Sequence, residues 1–223
     1  MRLSGRLYDS GQAAEIEIAN GRVVRITAVE SGAGRQPDIE RWPWISPGLI
    51  DIQVNGYGGV EFSSARLTED KVAGVVQSLH PFGVTRICPT VTTEGVEVLT
   101  HAVSTIASLC DRSAAWSRRM PGIHLEGPYI TSEEGARGAH PKRHCRPPDW
   151  DEFQRLQEAA RGWIRILTLS PEFDGCVGFI QKACAGGVIV AIGHTSASPD
   201  QIRAAVDAGA RLSTHLEIGR AHV

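Results

Sequence analysis

Nowhere in the 223 residues does an apolar run approach the roughly 18 that a membrane helix needs, and residues 1–5 lead into no signal-peptide core. A membrane span is excluded on this reading, and a cytoplasmic address is expected. Cysteine is sparse and odd in number: Cys88, Cys110, Cys145, Cys176 and Cys184 contain no C-x-x-C spacing. That argues against both a disulfide framework and a cysteine zinc site, and leaves buried, reduced thiols. An excess of one charge is also missing. With 23 Lys and Arg against 25 Asp and Glu the net charge is -2, so no basic face is offered to nucleic acid or an anionic membrane, and neither partner is expected. Disorder is excluded too, because 42% of the residues are hydrophobic and only 22% charged. Such a length and composition suit one domain with a small appendage.

Residues 1–46 read as a small β module. Glu15-Ile16-Glu17-Ile18 alternates as a strand does, Asn20-Gly21 is a hairpin turn, and 22–26 return as the second strand. A Gly-containing stretch, 31–34, loops out before a short strand at 42–44, and Pro47-Gly48 opens a second region. From there to residue 216, strand-like runs at 49–55, 85–88, 121–126, 164–169, 188–193 and 211–215 alternate with helical patterns. Val72, Val75, Val76 and Leu79 mark one buried helix face, and Gly83 sits where a helix has ended. Asp149-x-x-Glu152 and Ser198-Pro199-x-Gln201 read as capping boxes, the second stopped by Gly209. About six βα units without reversal fit an α/β fold of the (β/α)8 TIM-barrel kind, incomplete by two units.

In such a barrel the reactive groups lie at the C-terminal strand ends. Three strands end in ligand-type residues, at Glu126, His194 and His215. One carboxylate and two imidazoles compose a three-ligand zinc site with an open fourth position, although the same set suits iron, manganese or cobalt. Taken singly, each His reads as a hydrogen-bonded structural group and Glu126 as the partner of an arginine. Period-2 alternation places Asp51, Gln53 and Asn55 on one face of the first strand, a polar face at the barrel mouth. The loop after Glu126 carries Gly135, Arg137, Gly138, Ala139, His140, Lys142, Arg143 and His144. It reads equally as a binding loop for a phosphorylated or acidic ligand and as a solvated charged loop, with His140 the foremost functional candidate. His80, His101 and His222 read as unremarkable.

These residues in order resemble the N-acetylglucosamine-6-phosphate deacetylases of the amidohydrolase superfamily. The resemblance runs through 47–56 (PGLIDIQVNG), Pro89-Thr90, 124–128 (HLEGP), Gly138-Ala139-His140, 168–172 (TLSPE), Gly193-His194-Thr195 and Thr214-His215-Leu216. It implies hydrolysis of N-acetylglucosamine 6-phosphate to glucosamine 6-phosphate and acetate. It further implies one divalent metal, zinc, on Glu126, His194 and His215, and substrate contacts from Ala139 and His140. The superfamily's His-x-His pair on strand one is replaced by Gln53 and Asn55, and no lysine ends the fourth strand. Both departures resemble the single-metal members. The N-terminal β module would be part of a small β-sandwich, and the full-length protein a homodimer. Another amidohydrolase acting on a different N-acyl sugar or cyclic amide, or a non-catalytic metal- or sugar-phosphate-binding remnant, are the alternatives.

After Leu216 the family pattern of an aromatic residue, Asn and Ala, and a later catalytic Asp, is not met. Residues 217–223 (EIGRAHV) read instead as a non-native tail, the translation of a common sequencing adapter. A barrel short of two units leaves two parallel edges unpaired, so marginal stability and no turnover are expected of the 223-residue chain.

Overall fold

The computed structural model describes residues 1–29 and 39–216; the expected tail at 217–223, the glycine loop at 31–34 and His222 lie outside the described residues. Two compact units emerge, Met1–Gly48 and Leu49–Val223.

In the first unit, β1 (Arg2–Leu7), β2 (Ala13–Ala19), β3 (Arg22–Ala28) and β4 (Trp44–Ile45) form one sheet in the order β3-β2-β1-β4. β1, β2 and β3 pair antiparallel, and β4 joins β1 in parallel. The hairpin between β2 and β3 turns at Asn20 and Gly21, whose φ angles of 52° and 71° are those that an Asn-Gly pair adopts at least cost. The short strand falls one to two residues later than the 42–44 expectation, at Trp44–Ile45, with the Arg6 guanidinium 4.1 Å over the Trp44 ring. A single sheet is present among the described residues of this unit.

The second unit opens with β5 (Leu49–Val54) and a small hairpin, β6 (Gly56–Tyr57) and β7 (Val60–Glu61). Then α1 (Glu69–Ser78), β8 (Val84–Thr92), α2 (Val96–Arg112), α3 (Ala114–Arg119), β9 (Ile123–Glu126) and α4 (Trp150–Ala159) follow. The unit continues with β10 (Ile164–Leu169), α5 (Cys176–Ala185), β11 (Ile189–Ile192), α6 (Pro199–Asp207) and β12 (Leu212–Ser213). β5, β8, β9, β10, β11 and β12 form one sheet in chain order, every neighbouring pair parallel. This is a partial barrel of six strands with helices between them.

Local chemistry explains the element ends. Thr68 caps α1, and Val72, Val75 and Val76 bury its inner face. Gly83, at φ 79°, ends the turn that follows. Ser198 and Gln201 complete a reciprocal capping box on α6. At α4 only half of the expected box forms: Asp149 Oδ1 accepts from the Glu152 amide at 2.9 Å, but the Glu152 carboxylate is taken by Arg146, at 2.9–3.2 Å. The charge-assisted fork outcompetes a neutral amide for that carboxylate.

β8 runs four residues beyond its expected end, through Pro89 to Thr92. Proline reads as a strand breaker, yet here the β5–β8 register shifts between Asp51 and Val54, where Pro89 meets Val54. β9 instead takes up β8 from Thr90 to Thr92. α3 had no periodic signal because it is six residues long. The core packs α1, α2, α4 and α5 against the strands, with Leu99, Ile106, Leu109, Leu125, Leu156, Ile164 and Ile180 at 0–1% exposure. β5 and β12 are the sheet edges, and on β5 Leu49, Ile50 and Ile52 are about half exposed.

Candidate metal centre

Glu126 is the last residue of β9 and 1% exposed. Its Oε1 lies 3.0 Å from His194 Nε2 and 3.0 Å from His215 Nε2. His140 Nε2 is 3.9 Å from the same oxygen and 3.2 Å from His194 Nε2. The other oxygen, Oε2, accepts from Gln53 Nε2 at 3.0 Å, and that amide also stands 3.4 Å from His215 Nε2. Ligand atoms of Glu126, His140 and His194 all fall within 4.8 Å of one another. The structure therefore brings together Glu126, His194, His215, Gln53 and His140. No arginine or lysine hydrogen-bonds the Glu126 carboxylate among the described residues, so the arginine-partner reading of Glu126 fails.

Asn55 and Ala139 are not brought to the cluster by a hydrogen bond among the described residues. Asn55 lines a separate cleft of about 540 Å³ with Tyr57, Glu61, Arg66 and Lys71, while Ala139 is exposed beside the buried His140. A larger cleft of about 1350 Å³ opens directly onto Gly138, His194, Thr195, Thr214 and His215.

The backbone explains how the imidazoles converge. His194 and His215 each lie two residues beyond a strand end, at φ 51° and 61°, and with Asn20 and Arg161 are the described non-glycine residues at positive φ. Such conformations cost free energy and persist where the surroundings over-determine them, most often at functional sites. Ser170 holds His194: its hydroxyl donates to the His194 carbonyl and accepts from the Thr131 amide at 2.8 Å. Glu172, in the same stretch, accepts from the Thr195 hydroxyl and from the Ser196 amide at 3.0 Å. His140 sits on the long loop between β9 and α4. Arg137 donates to the carbonyls of Gly138 and His140, and Arg146 Nη1 donates to those of Glu94 and His144. Arg137 thus braces the loop internally, while Arg146 ties it to Glu94 beyond β8 and to Glu152 on α4. His140 Nδ1 is 2.9 Å from Thr93 Oγ1, and the Thr93 hydroxyl donates to the Glu126 carbonyl at 3.3 Å. Gly127 makes this approach possible, because a Cβ there would lie 2.1 Å from Thr93 Oγ1.

Burial acts to raise the Glu126 carboxyl, but the hydrogen bond from His194 and the imidazoles of His140, His194 and His124 hold it down at about 2. Burial, reinforced by His194, lowers His140 to about 4. At neutral pH the cluster therefore presents an anionic oxygen and a neutral His140 imidazole. A buried carboxylate ringed by imidazole nitrogens, with no lysine or arginine hydrogen-bonded to it among the described residues, is a donor set that fits a divalent cation.

Thr93, Ser170 and Arg146 carry no functional reading in the sequence, whereas Arg137 reads there as one of the cationic donors of a binding loop and instead bonds its own loop's carbonyls. Ser170 and Glu172 belong to the 168–172 motif, whose spacing two and four residues after Thr168 was their available signal; Thr93 and Arg146 carried none.

No protein-family profile matches the chain. Among curated proteins, the chain is 38% identical over 177 residues to the N-acetylglucosamine-6-phosphate deacetylase of Homo sapiens, covering 77% of this chain and 42% of that protein. It is 34% identical over 172 residues, with the same coverages, to the N-acetylgalactosamine-6-phosphate deacetylase of a Shewanella strain. Among solved structures, N-acetyl-D-glucosamine-6-phosphate deacetylase from Mycobacterium smegmatis matches with a TM-score of 0.80 at 35% identity, over 97% of this chain and 56% of that one. The chain is a relative of the N-acetylglucosamine-6-phosphate deacetylases. It spans about two-fifths of the length of the curated relatives it matches. No helix among the described residues is long and apolar enough to cross a membrane.

Proposed function

We propose that the complete protein is a metal-dependent amidohydrolase that removes acetate from N-acetylglucosamine 6-phosphate, with one divalent cation, zinc, held by Glu126, His194 and His215. The observation that carries this reading is the approach of His194 Nε2 and His215 Nε2, each to 3.0 Å from a single buried carboxylate oxygen. A cation bound there supplies a water of lowered pKa and polarises the amide carbonyl.

The remaining chemistry falls to the chain. Gln53 donates to Glu126 Oε2, which turns Oε1 toward the imidazoles, as outer partners of metal ligands commonly do. We assign His140, buried and neutral beside His194, to contact the acetamido group, and its neighbour Ala139 to contact the sugar. The general base and acid is assigned to an Asp from a part of the complete protein outside this chain, as are further phosphate contacts. We read the four-stranded N-terminal sheet as one part of a small sandwich, the complete protein as a homodimer, and its address as cytoplasmic, with no role for nucleic acid or membrane.

The test is acetate release by the complete, zinc-loaded protein from N-acetylglucosamine 6-phosphate, N-acetylgalactosamine 6-phosphate and unphosphorylated N-acetylglucosamine. Turnover is expected on the first, and Glu126→Gln should abolish it together with bound zinc. Preference for the galactosamine ester, the substrate named for the Shewanella relative, or for another N-acyl compound would redirect the specificity. Binding without turnover would make the protein a non-catalytic sugar-phosphate module.

A further inference from the structure

Beneath the candidate metal centre a second line of polar side chains runs across the sheet, buried at His124 and Thr168 and reaching the cleft at Thr214. His124 precedes Glu126 by two residues on β9, so period-2 alternation turns both to the same side of the sheet. His124 is 3% exposed and Thr168 0% exposed. His124 Nδ1 lies 3.1 Å from the Ile52 carbonyl oxygen on β5, His124 Nε2 2.7 Å from Thr168 Oγ1 on β10, and Thr168 Oγ1 2.8 Å from Thr214 Oγ1, one residue beyond β12.

The direction of this chain is determined at one end. A carbonyl oxygen only accepts, so His124 Nδ1 carries the proton and donates to Ile52. In the neutral ring Nε2 then accepts from the Thr168 hydroxyl, and Thr168, its own proton committed, accepts from Thr214. Four hydrogen-bonding groups thereby link β5 at one edge of the sheet through β9 and β10 to the end of β12 at the other. The last member is covalently adjacent to His215, whose φ of 61° has to be held by its surroundings. Gly193 leaves the room: a Cβ there would lie 2.8 Å from Thr214 Cβ and 2.9 Å from Thr168 Cγ2.

We propose that His124, Thr168 and Thr214 are positioning residues that act as one hydrogen-bonded strut, fixing the end of β12 so that His215 meets Glu126. The strut sets metal affinity without touching metal, and the inference rests on the reading of Glu126, His194 and His215 as the ligands.

The test uses the complete protein, with zinc affinity measured by chelator competition and the Co2+ form read by its visible absorption. Thr168→Val, which keeps the shape and removes the hydroxyl, should weaken zinc binding about tenfold or more, the usual scale for outer-sphere partners. Thr168→Ser should restore it. The Co2+ spectrum of Thr168→Val should match that of His215→Ala, and adding Thr168→Val to His215→Ala should change nothing further, since the two act through one ligand. Wild-type affinity and spectrum in Thr168→Val overturn the strut alone, leaving the metal reading intact. Failure of the folded, unmutated complete protein to bind zinc overturns the metal reading and the strut with it. If Thr168→Val does not fold, the imidazole nitrogen shifts of His124 in the unmutated chain decide: a neutral ring protonated on Nδ1 supports the strut, and one protonated on Nε2 overturns it.

Discussion

Gly193→Ala probes a close contact beneath the candidate metal centre. The added methyl would stand 2.8 Å from Thr214 Cβ and 2.9 Å from Thr168 Cγ2, whereas carbon atoms pack best at about 3.5–4.0 Å. Neither atom is the free end of a flexible side chain. Gly193 cannot retreat toward β10, because its amide donates to the Leu169 carbonyl at 3.1 Å. Relief must come from the β12 side, where the Thr214 amide is tied to the Ile192 carbonyl at 2.8 Å. Overpacking of this kind costs about 1–3 kcal/mol, and stretching the 2.8 Å Thr168–Thr214 hydrogen bond past its useful range adds about 1 kcal/mol. The expected loss is about 3 kcal/mol, or roughly 6–12 °C in the thermal midpoint for a chain of this size. Urea denaturation followed by far-ultraviolet circular dichroism measures it. In a Thr168→Ser background, which lacks Cγ2, the same substitution should cost less by about 1 kcal/mol. A Gly193→Ala chain within about 0.5 kcal/mol of wild type, the range of an indifferent surface change, would refute the packing argument.

Other consequences follow from single features. Glu126→Gln should lose bound zinc when the purified chain is assayed by elemental analysis; a metal-replete variant would remove Glu126 from the ligand set. Ser198→Ala breaks the reciprocal box at the start of α6 and should cost about 1 kcal/mol, seen as faster amide exchange at Gln201. Arg146→Ala removes the fork to Glu152 and the donors to the Glu94 and His144 carbonyls, so limited proteolysis should begin cutting between 127 and 149. Burial pushes the thiols of Cys88, Cys110 and Cys176 up to about 11, 12 and 12. The thiolate is the reactive form, so iodoacetamide at pH 8 should label the half-buried Cys145 and Cys184 in the native chain and reach the other three only in denaturant, as peptide mapping would show.

What could be read from the chain before its structure depended on how local each cause was. The Asn20-Gly21 turn, the Ser198 capping box and the stripe from Val72 to Leu79 are decided within a few residues, and each stands where the pattern places it. The extension of β8 through Pro89 was illegible, because what tolerates the proline is a register shift on another strand, β5. The centre divides in the same way. Glu126, His194 and His215 announce themselves as ligand-type residues at strand ends, and Gln53 by period-2 alternation, whereas Asn55 shares the alternation but lines a different cleft. Arg137 and Arg143 looked available for an anionic ligand. Arg137 instead donates to carbonyls of its own loop, and Arg143 Nε is 3.0 Å from His144 Nε2, since buried carbonyls inside a long loop must find donors somewhere.

Thr93, Ser170 and Thr168 show why the surroundings of a candidate metal centre are harder to read than its ligand-type residues. A ligand is constrained by its own chemistry, and few side chains qualify. A positioning hydroxyl is constrained only by where it stands between two groups that are themselves far apart in sequence: Thr168 lies 44 residues from His124 and 46 from Thr214. Its usefulness comes from burial. In water a threonine pair would exchange partners freely, but at 0% exposure the Thr168 hydroxyl has no solvent alternative, so losing either neighbour leaves an unsatisfied group at a cost of about 1–3 kcal/mol. That cost gives the interior line its stiffness, and it predicts coupling: Thr168→Val and Thr214→Val should each destabilise the chain, while the double variant should cost less than their sum, because the second substitution removes a partner that the first has already orphaned. Strict additivity in urea denaturation would mean that the two hydroxyls do not share a hydrogen bond.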